Sequence, residues 1–140
     1  MSDNSDTANA AFEAWEKRDF NAVVENMTED VVVTDRARGE TIKGRADVKA
    51  FYTSWATACP DSTCGYEVVA ASGDAVAVEG LWKGTNTGPF GPFGPSGRTV
   101  RMPWINNLRF NGDGKIINVS VLYDQMGVLS QLGHVTLPTA

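Results

Sequence analysis

The side chains best placed to do chemistry in this 140-residue sequence are an aspartate and an asparagine. Asp35 closes the stretch VVVTD, residues 31–35, so a carboxylate follows four strand-forming residues at the end of a strand that should be buried. Asn106 lies in RMPWINNLRF, where Met102, Trp104, Asn106 and Leu108 share one face of a strand and only the asparagine is polar. A buried amide left unpaired costs roughly 1–3 kcal/mol, so Asn106 needs a partner or a ligand. A carboxylate drawn into an apolar cavity is poised closer to neutrality and becomes a better proton shuttle. Together the two residues could remove a proton beside a substrate carbonyl and hydrogen-bond the developing enolate oxygen, with Tyr52 or Tyr123 as further donors.

Each residue also has a plainer reading. Asp35 is equally a strand-end turn residue paired with Arg36 or Arg38, and Asn106 a core asparagine bonded to main chain. Tyr52 sits on an amphipathic helix with its hydroxyl reaching a polar partner. Trp15, Trp55, Trp82 and Trp104 fit a core as well as a ligand pocket. The remaining candidate lining residues are Met102, Val119, Val121 and Tyr123 on strands, with Phe90 and Phe93 either covering a pocket mouth or forming a dimer contact.

The elements that would carry these residues follow from periodicity. Ala8, Ala11, Phe12 and Trp15 mark one helix face over 7–18. Asp19 caps a short second helix carrying Phe20, Val23, Val24 and Met27. Val48, Phe51, Tyr52 and Trp55 stripe a third helix that stops at Pro60. From Gly65 the pattern switches to period two: YEVVAA, an SGD turn and AVAVEGLWKG form a hairpin. A Gly/Pro-rich loop, 84–97, reads as a lid, followed by the strand RTVRMPWINNLRF, an NGDG turn and the strand KIINVSVLY. Three helices and then an antiparallel meander predict an α+β domain with the helices on one face of the sheet.

Bulk properties exclude several classes. Twelve Lys and Arg against seventeen Asp and Glu give a formal charge of −5, which disfavours nucleic acid. The polar, acidic start MSDNSDTANA, with residues 1–6 expected to be flexible, is not a secretory signal, and no apolar run approaches membrane-spanning length. A cytoplasmic protein of one domain, 1–140, without membrane association is the expectation. Two cysteines and one histidine are too few for a structural zinc site, and no nucleotide or metal cofactor is expected. Cys59 and Cys64 are expected as free thiols, although their spacing would permit a disulfide. His134 is expected at the surface.

The order of these elements, with GRADVKAFY and INNLRFNGDGKI, resembles the cone-shaped nuclear transport factor 2-like fold over residues 7–133. GPFGPSGRTV, DGKI and GVLSQLG are similar to SnoaL-like polyketide cyclases, whereas VVVTD, FYTSW and INNLRFNGDGKIINVSVLY resemble steroid Δ5-3-ketoisomerases. The isomerase resemblance implies that Asp35 is the catalytic base, that Asn106 replaces a protonated aspartic acid in the oxyanion hole, and that Tyr52 belongs to the supporting hydrogen-bond network. The isomerases' strongest oxyanion donor, a phenol on the first helix, falls near Ala11 and has no counterpart. The cyclase resemblance places Val121 where those enzymes, like limonene-epoxide hydrolases, keep an aspartate, and Asn106 where the cyclases keep a histidine.

These readings converge on a cofactor-free acid–base enzyme, isomerase or cyclase in type, acting on a hydrophobic polycyclic carbonyl compound such as an aromatic polyketide or steroid. The alternatives are a polyketide-tailoring hydroxylase component and a small-molecule-binding module without chemistry. A homodimer through outward apolar residues such as Leu81 and Ile105 is also expected.

Overall fold

The computed structural model describes residues 4–138. Three helices, α1 (Asn4–Glu16), α2 (Phe20–Glu25) and α3 (Arg45–Ala58), precede most of a six-stranded sheet. Its strands are β1 (Met27–Asp35), β2 (Glu40–Lys43), β3 (Glu67–Ser72), β4 (Ala75–Thr85), β5 (Thr99–Phe110) and β6 (Ile116–Tyr123), and a short α4 (Gln125–Gln131) follows. The sheet order is β2-β1-β6-β5-β4-β3. The curved sheet is mainly antiparallel, with β1 and β6 its parallel pair; α1 and α3 pack against it, and α2 packs on both of these helices. This is the α+β, nuclear transport factor 2-like architecture the sequence implies.

The local chemistry explains the elements. β5 alternates exposed and buried residues without a break, as period-two patterning requires of a strand with one face on the core. Asp19 caps α2 by accepting from the Ala22 amide. At the NGDG turn, the Asn111 side chain accepts from the amides of Asp113 and Lys115, and Gly114 takes a φ of 75°. Gly80 has a different purpose: a Cβ there would lie 2.4 Å from the Trp104 ring, so only glycine lets that indole lie against β4. Arg18 adopts a left-handed φ of 63°, a cost of about 1–3 kcal/mol. Its guanidinium offsets this by donating to the carbonyls of Trp15, Pro60 and Ser62, tying the end of α1 to the segment that leads to Cys64.

Several details differ from the sequence expectation. β1 begins at Met27, not Val31, because a register shift between Met27 and Val32 lets the polar TED run into the strand. β2, only four residues long, was hidden inside an apparent loop, and α4 was hidden by Gly127. Asn4, Ser5 and Asp6 form the first turn of α1 and are not a flexible tail, while residues 1–3 lie outside the described residues. His134 stacks on Phe93 with ring centroids 4.7 Å apart, so it is more than a surface residue.

Candidate active site

Strand register brings the two chemically interesting residues into one row. Asp35 pairs with Val121 across the parallel β1–β6 ladder, and Val121 pairs with Asn106 on β5. All three are buried on the concave face. With strands about 4.8 Å apart, Asp35 and Asn106 flank Val121 at roughly 10 Å between backbones.

Between the concave face and the helices lies a cavity of about 80 Å³. Its wall includes Ala11, Phe12 and Trp15 of α1, Tyr52 and Trp55 of α3, Cys64, and Trp82, Met102, Trp104, Asn106, Val119, Val121 and Tyr123 of the sheet. Every lining residue expected on the helices and strands is therefore present. Trp55 organises the aromatic side: Trp82 and Tyr123 meet it edge-on at 5.0 and 5.1 Å. Phe90 and Phe93 do not line this cavity, which corrects their placement at its mouth. They pair with each other backbone to backbone and border a separate outer groove of about 880 Å³ along α3, together with Arg38, Glu40, Lys49 and Gln125. The physical reason is Asn86, fully buried, whose side chain donates to the carbonyls of Ala58 and Gly88 and accepts from Ser96, anchoring the loop over α3.

Asp35 is fully buried but is not on the cavity wall. Oδ1 accepts from the amides of Ala37 and Arg38, the strand-end turn geometry, while Oδ2 accepts from the Tyr123 hydroxyl at 2.8 Å and lies 3.7 Å from Arg38 Nε. The strand-end turn reading of Asp35 therefore holds: it organises a turn and faces Arg38, and it also sits directly behind a phenol that lines the cavity. Arg36 is not its partner; that guanidinium donates to Ser120. Burial, above all, raises the Tyr123 pKa, with the Asp35 carboxylate adding to the rise, so the phenol stays neutral. Since its single proton points to Asp35, Tyr123 turns lone pairs, not a donor, to any ligand.

The other polar groups on the wall divide clearly. Trp15 and Trp104 direct their indole N–H groups to the carbonyls of Tyr52 and Cys64. Trp82 Nε1 and Asn106 Oδ1 are buried with no partner among the described residues. Asn106 is therefore not a core asparagine bonded to main chain. Tyr52 is held neutral by burial, its pKa raised, and its hydroxyl makes no hydrogen bond to Asp35 or Tyr123. Cys64 faces the cavity as a free thiol whose S–H donates to Glu16 at 2.8 Å, an arrangement that sequence reasoning missed because Glu16 and Cys64 lie 48 residues apart. Cys59 is likewise free and buried. Asp124, polar and near the site in sequence, caps α4 instead. Among the described residues no group of three or more His, Cys, Asp and Glu gathers as metal ligands, and no helix is long and apolar enough to cross a membrane.

A set of apolar walls, unpaired polar atoms and a carboxylate-backed phenol can bind a hydrophobic oxygenated molecule and move a proton within it. Comparison with known proteins shows the family: residues 5–132 match the family model described as SnoaL-like polyketide cyclase. No curated protein matches the chain in sequence. Among solved structures, IdmH from Streptomyces antibioticus, named as a candidate polyketide cyclase, is 25% identical with a TM-score of 0.79, covering 94% of this chain and 99% of its own. A protein from Jannaschia sp. CCS1, named as a candidate SnoaL-like polyketide cyclase, reaches a TM-score of 0.85 at 22% identity, covering 96% of this chain and 93% of its own. AclR from Streptomyces galilaeus, named as a candidate hydroxylase, has a TM-score of 0.79 at 24% identity, covering 97% and 87%.

Proposed function

Because this chain belongs to the SnoaL-like polyketide cyclase family, we propose that it is a cofactor-free acid–base enzyme acting on a hydrophobic carbonyl compound of polyketide type. The observation that carries this reading is the 2.8 Å hydrogen bond from Tyr123, on the cavity wall, to the buried carboxylate of Asp35. Asp35 is the base, but it works through Tyr123. As the substrate C–H beside the carbonyl passes its proton to the phenol oxygen, the phenol proton moves to Asp35 Oδ2, and the C–H electron pair becomes the enolate. Returning the proton to a different carbon isomerises the substrate; attack of the enolate carbon on a second carbonyl within the same molecule closes a ring, the C=O π pair moving to oxygen, which takes back the proton from Asp35 through Tyr123.

The oxygen on which charge develops is served by Asn106 and Tyr52. An amide suits both forms of the intermediate: Nδ2–H donates to an enolate oxygen, and Oδ1 accepts from an enol hydroxyl. A donor aimed at such an oxyanion is worth roughly 3 kcal/mol. Val121 keeps this row otherwise dry. The cavity is smaller than the roughly 300–1,000 Å³ of typical ligand sites, so a polycyclic substrate requires movement of the rim, where the partly buried Phe12 stacks between Tyr66 and Trp104.

The test is deuterium uptake from D2O at the carbon beside the carbonyl of 1-decalone, a simple bicyclic ketone. Asp35→Asn and Tyr123→Phe should each slow exchange by about a hundredfold or more, the usual scale for losing a positioned base. Exchange that survives both substitutions would rule out the mechanism. A second reading, a component of a hydroxylation, is favoured by the apolar Val121 at the position of the cyclases' aspartate. It requires an oxygen-dependent, reductant-dependent product and no exchange.

A further inference from the structure

Trp82 Nε1 and Asn106 Oδ1 are buried without partners among the described residues, and both belong to residues that line the cavity. Trp82 pairs with Met102 across the β4–β5 ladder, whereas Asn106 lies four residues further along β5, about 13 Å away along the strand. Tyr123, which pairs with Trp104, falls in the row between them. Trp82 is only 3% exposed, and its ring plane is fixed by the edge-on contact with Trp55 at 81°. Of the four tryptophans, Trp15 and Trp104 have already committed their N–H groups to backbone carbonyls, so the orphaned Trp82 N–H does not reflect a general shortage of acceptors. An unpaired buried donor of this kind is destabilising, and a ligand oxygen would recover the lost hydrogen bond.

We propose that Trp82 is a specificity-determining residue whose indole N–H recognises a second oxygen at the far end of the substrate. The substrate is thereby narrowed to a bicyclic or larger ring compound oxygenated at both ends, with the reacting carbonyl at Asn106 and a distal carbonyl at Trp82. An indole only donates, so the distal group must be an acceptor, and a hydroxyl is a poorer match than a carbonyl. The assignment rests on the cavity being the substrate site, and it adds a second point of attachment that holds the intervening C–H in the row of Tyr123.

The experiment compares decalin-1,5-dione with 1-decalone, which lacks the second carbonyl. The wild-type protein should bind the dione about tenfold tighter, the gain expected of one added hydrogen bond. On titration with the dione, the Trp82 indole Nε1–H proton resonance should move downfield while those of Trp15 and Trp104 stay in place. Trp82→Phe should abolish the preference, leaving both ketones alike. Equal affinities in the wild type, a stationary Trp82 resonance, an equal loss of both ketones in Trp82→Phe, or no binding of either would overturn the assignment. The resonance measurement uses the wild-type chain, so it stands even if Trp82→Phe fails to fold. Repeating the titration with Asp35→Asn separates the two ideas: a retained preference with slow wild-type exchange refutes only the proton-transfer mechanism, and brisk exchange without preference refutes only the distal contact.

Discussion

At the residue scale, Asn106 and Asp35 stand in opposite relation to stability. Asn106 is buried with an unsatisfied oxygen, so Asn106→Leu should leave stability unchanged or raise it by about 1 kcal/mol, since an orphaned amide is replaced by an apolar group of similar size. Urea denaturation would measure this, and ketone binding should weaken in the same variant. Asp35 is satisfied on both oxygens, and Asp35→Ala would strand two amides and a phenol, a loss of about 3–5 kcal/mol. Burial also sets an alkaline limit. It pushes the Cys59 thiol from its ordinary value near 9 up to about 12, with Asp61 adding to the rise. Because the folded state holds that proton more tightly, its contribution is intact below about pH 9 and is lost as pH rises toward 12. Cys64, Tyr52 and Tyr123 are displaced in the same direction. Denaturation followed from pH 8 to 11 should show falling stability, less steep in Cys59→Ala. The row containing Asp35 and Asn106 was foreshadowed by their odd polarity on apolar strands, but the Tyr123 bond was not, because nothing local in VVVTD indicates a partner 88 residues away.

At the scale of elements, the period-two strands, the NGDG turn and three amphipathic helices were legible because each repeats its signal over many residues. β2 and α4 were not, since four residues of ETIK carry too short a pattern and a glycine interrupts QMGVLSQ. The Gly/Pro-rich loop was recognisable as a loop, yet its anchorage was invisible. It depends on Asn86, whose side chain accepts from Ser96, donates to Ala58 and Gly88, and lies 3.2 Å from His134 Nε2. Asn86→Ala should therefore destabilise the protein by about 2–4 kcal/mol and raise amide hydrogen exchange across residues 86–97 more than in β5. Uniform exchange changes would show that Asn86 serves the whole core and not this loop.

At the scale of the whole molecule, the concave face of the sheet is occupied by helices while the convex face displays Ile105 at 45% and Leu122 at 51% exposure, with the partly buried Leu81 nearby. Apolar side chains clustered on an open sheet mark an association surface, and we infer a two-fold homodimer built on it. Sedimentation should find a dimer for the wild type and a monomer for the double substitution Ile105→Lys, Leu122→Lys; an unchanged sedimentation coefficient would refute this interface. The outward parity of Ile105 was readable from alternation alone. Leu122 was overlooked beside its buried neighbours Val121 and Tyr123.

The parallel pairing of β1 with β6 also governs when the protein becomes competent during its synthesis. Asp35 emerges from the ribosome early and Tyr123 late, and the sheet order places β6 between β1 and β5. Until the last strand arrives, β1 has only β2 beside it, its carboxylate has no phenol, and the cavity has no wall on that side. The closing step joins distant parts of the chain, which makes it slow relative to the local hairpin β3–β4. A nascent chain halted before Ile116 would present the long open edge of β5 to other chains, so pauses in translation there would divert this protein toward aggregation, not toward a partly active intermediate.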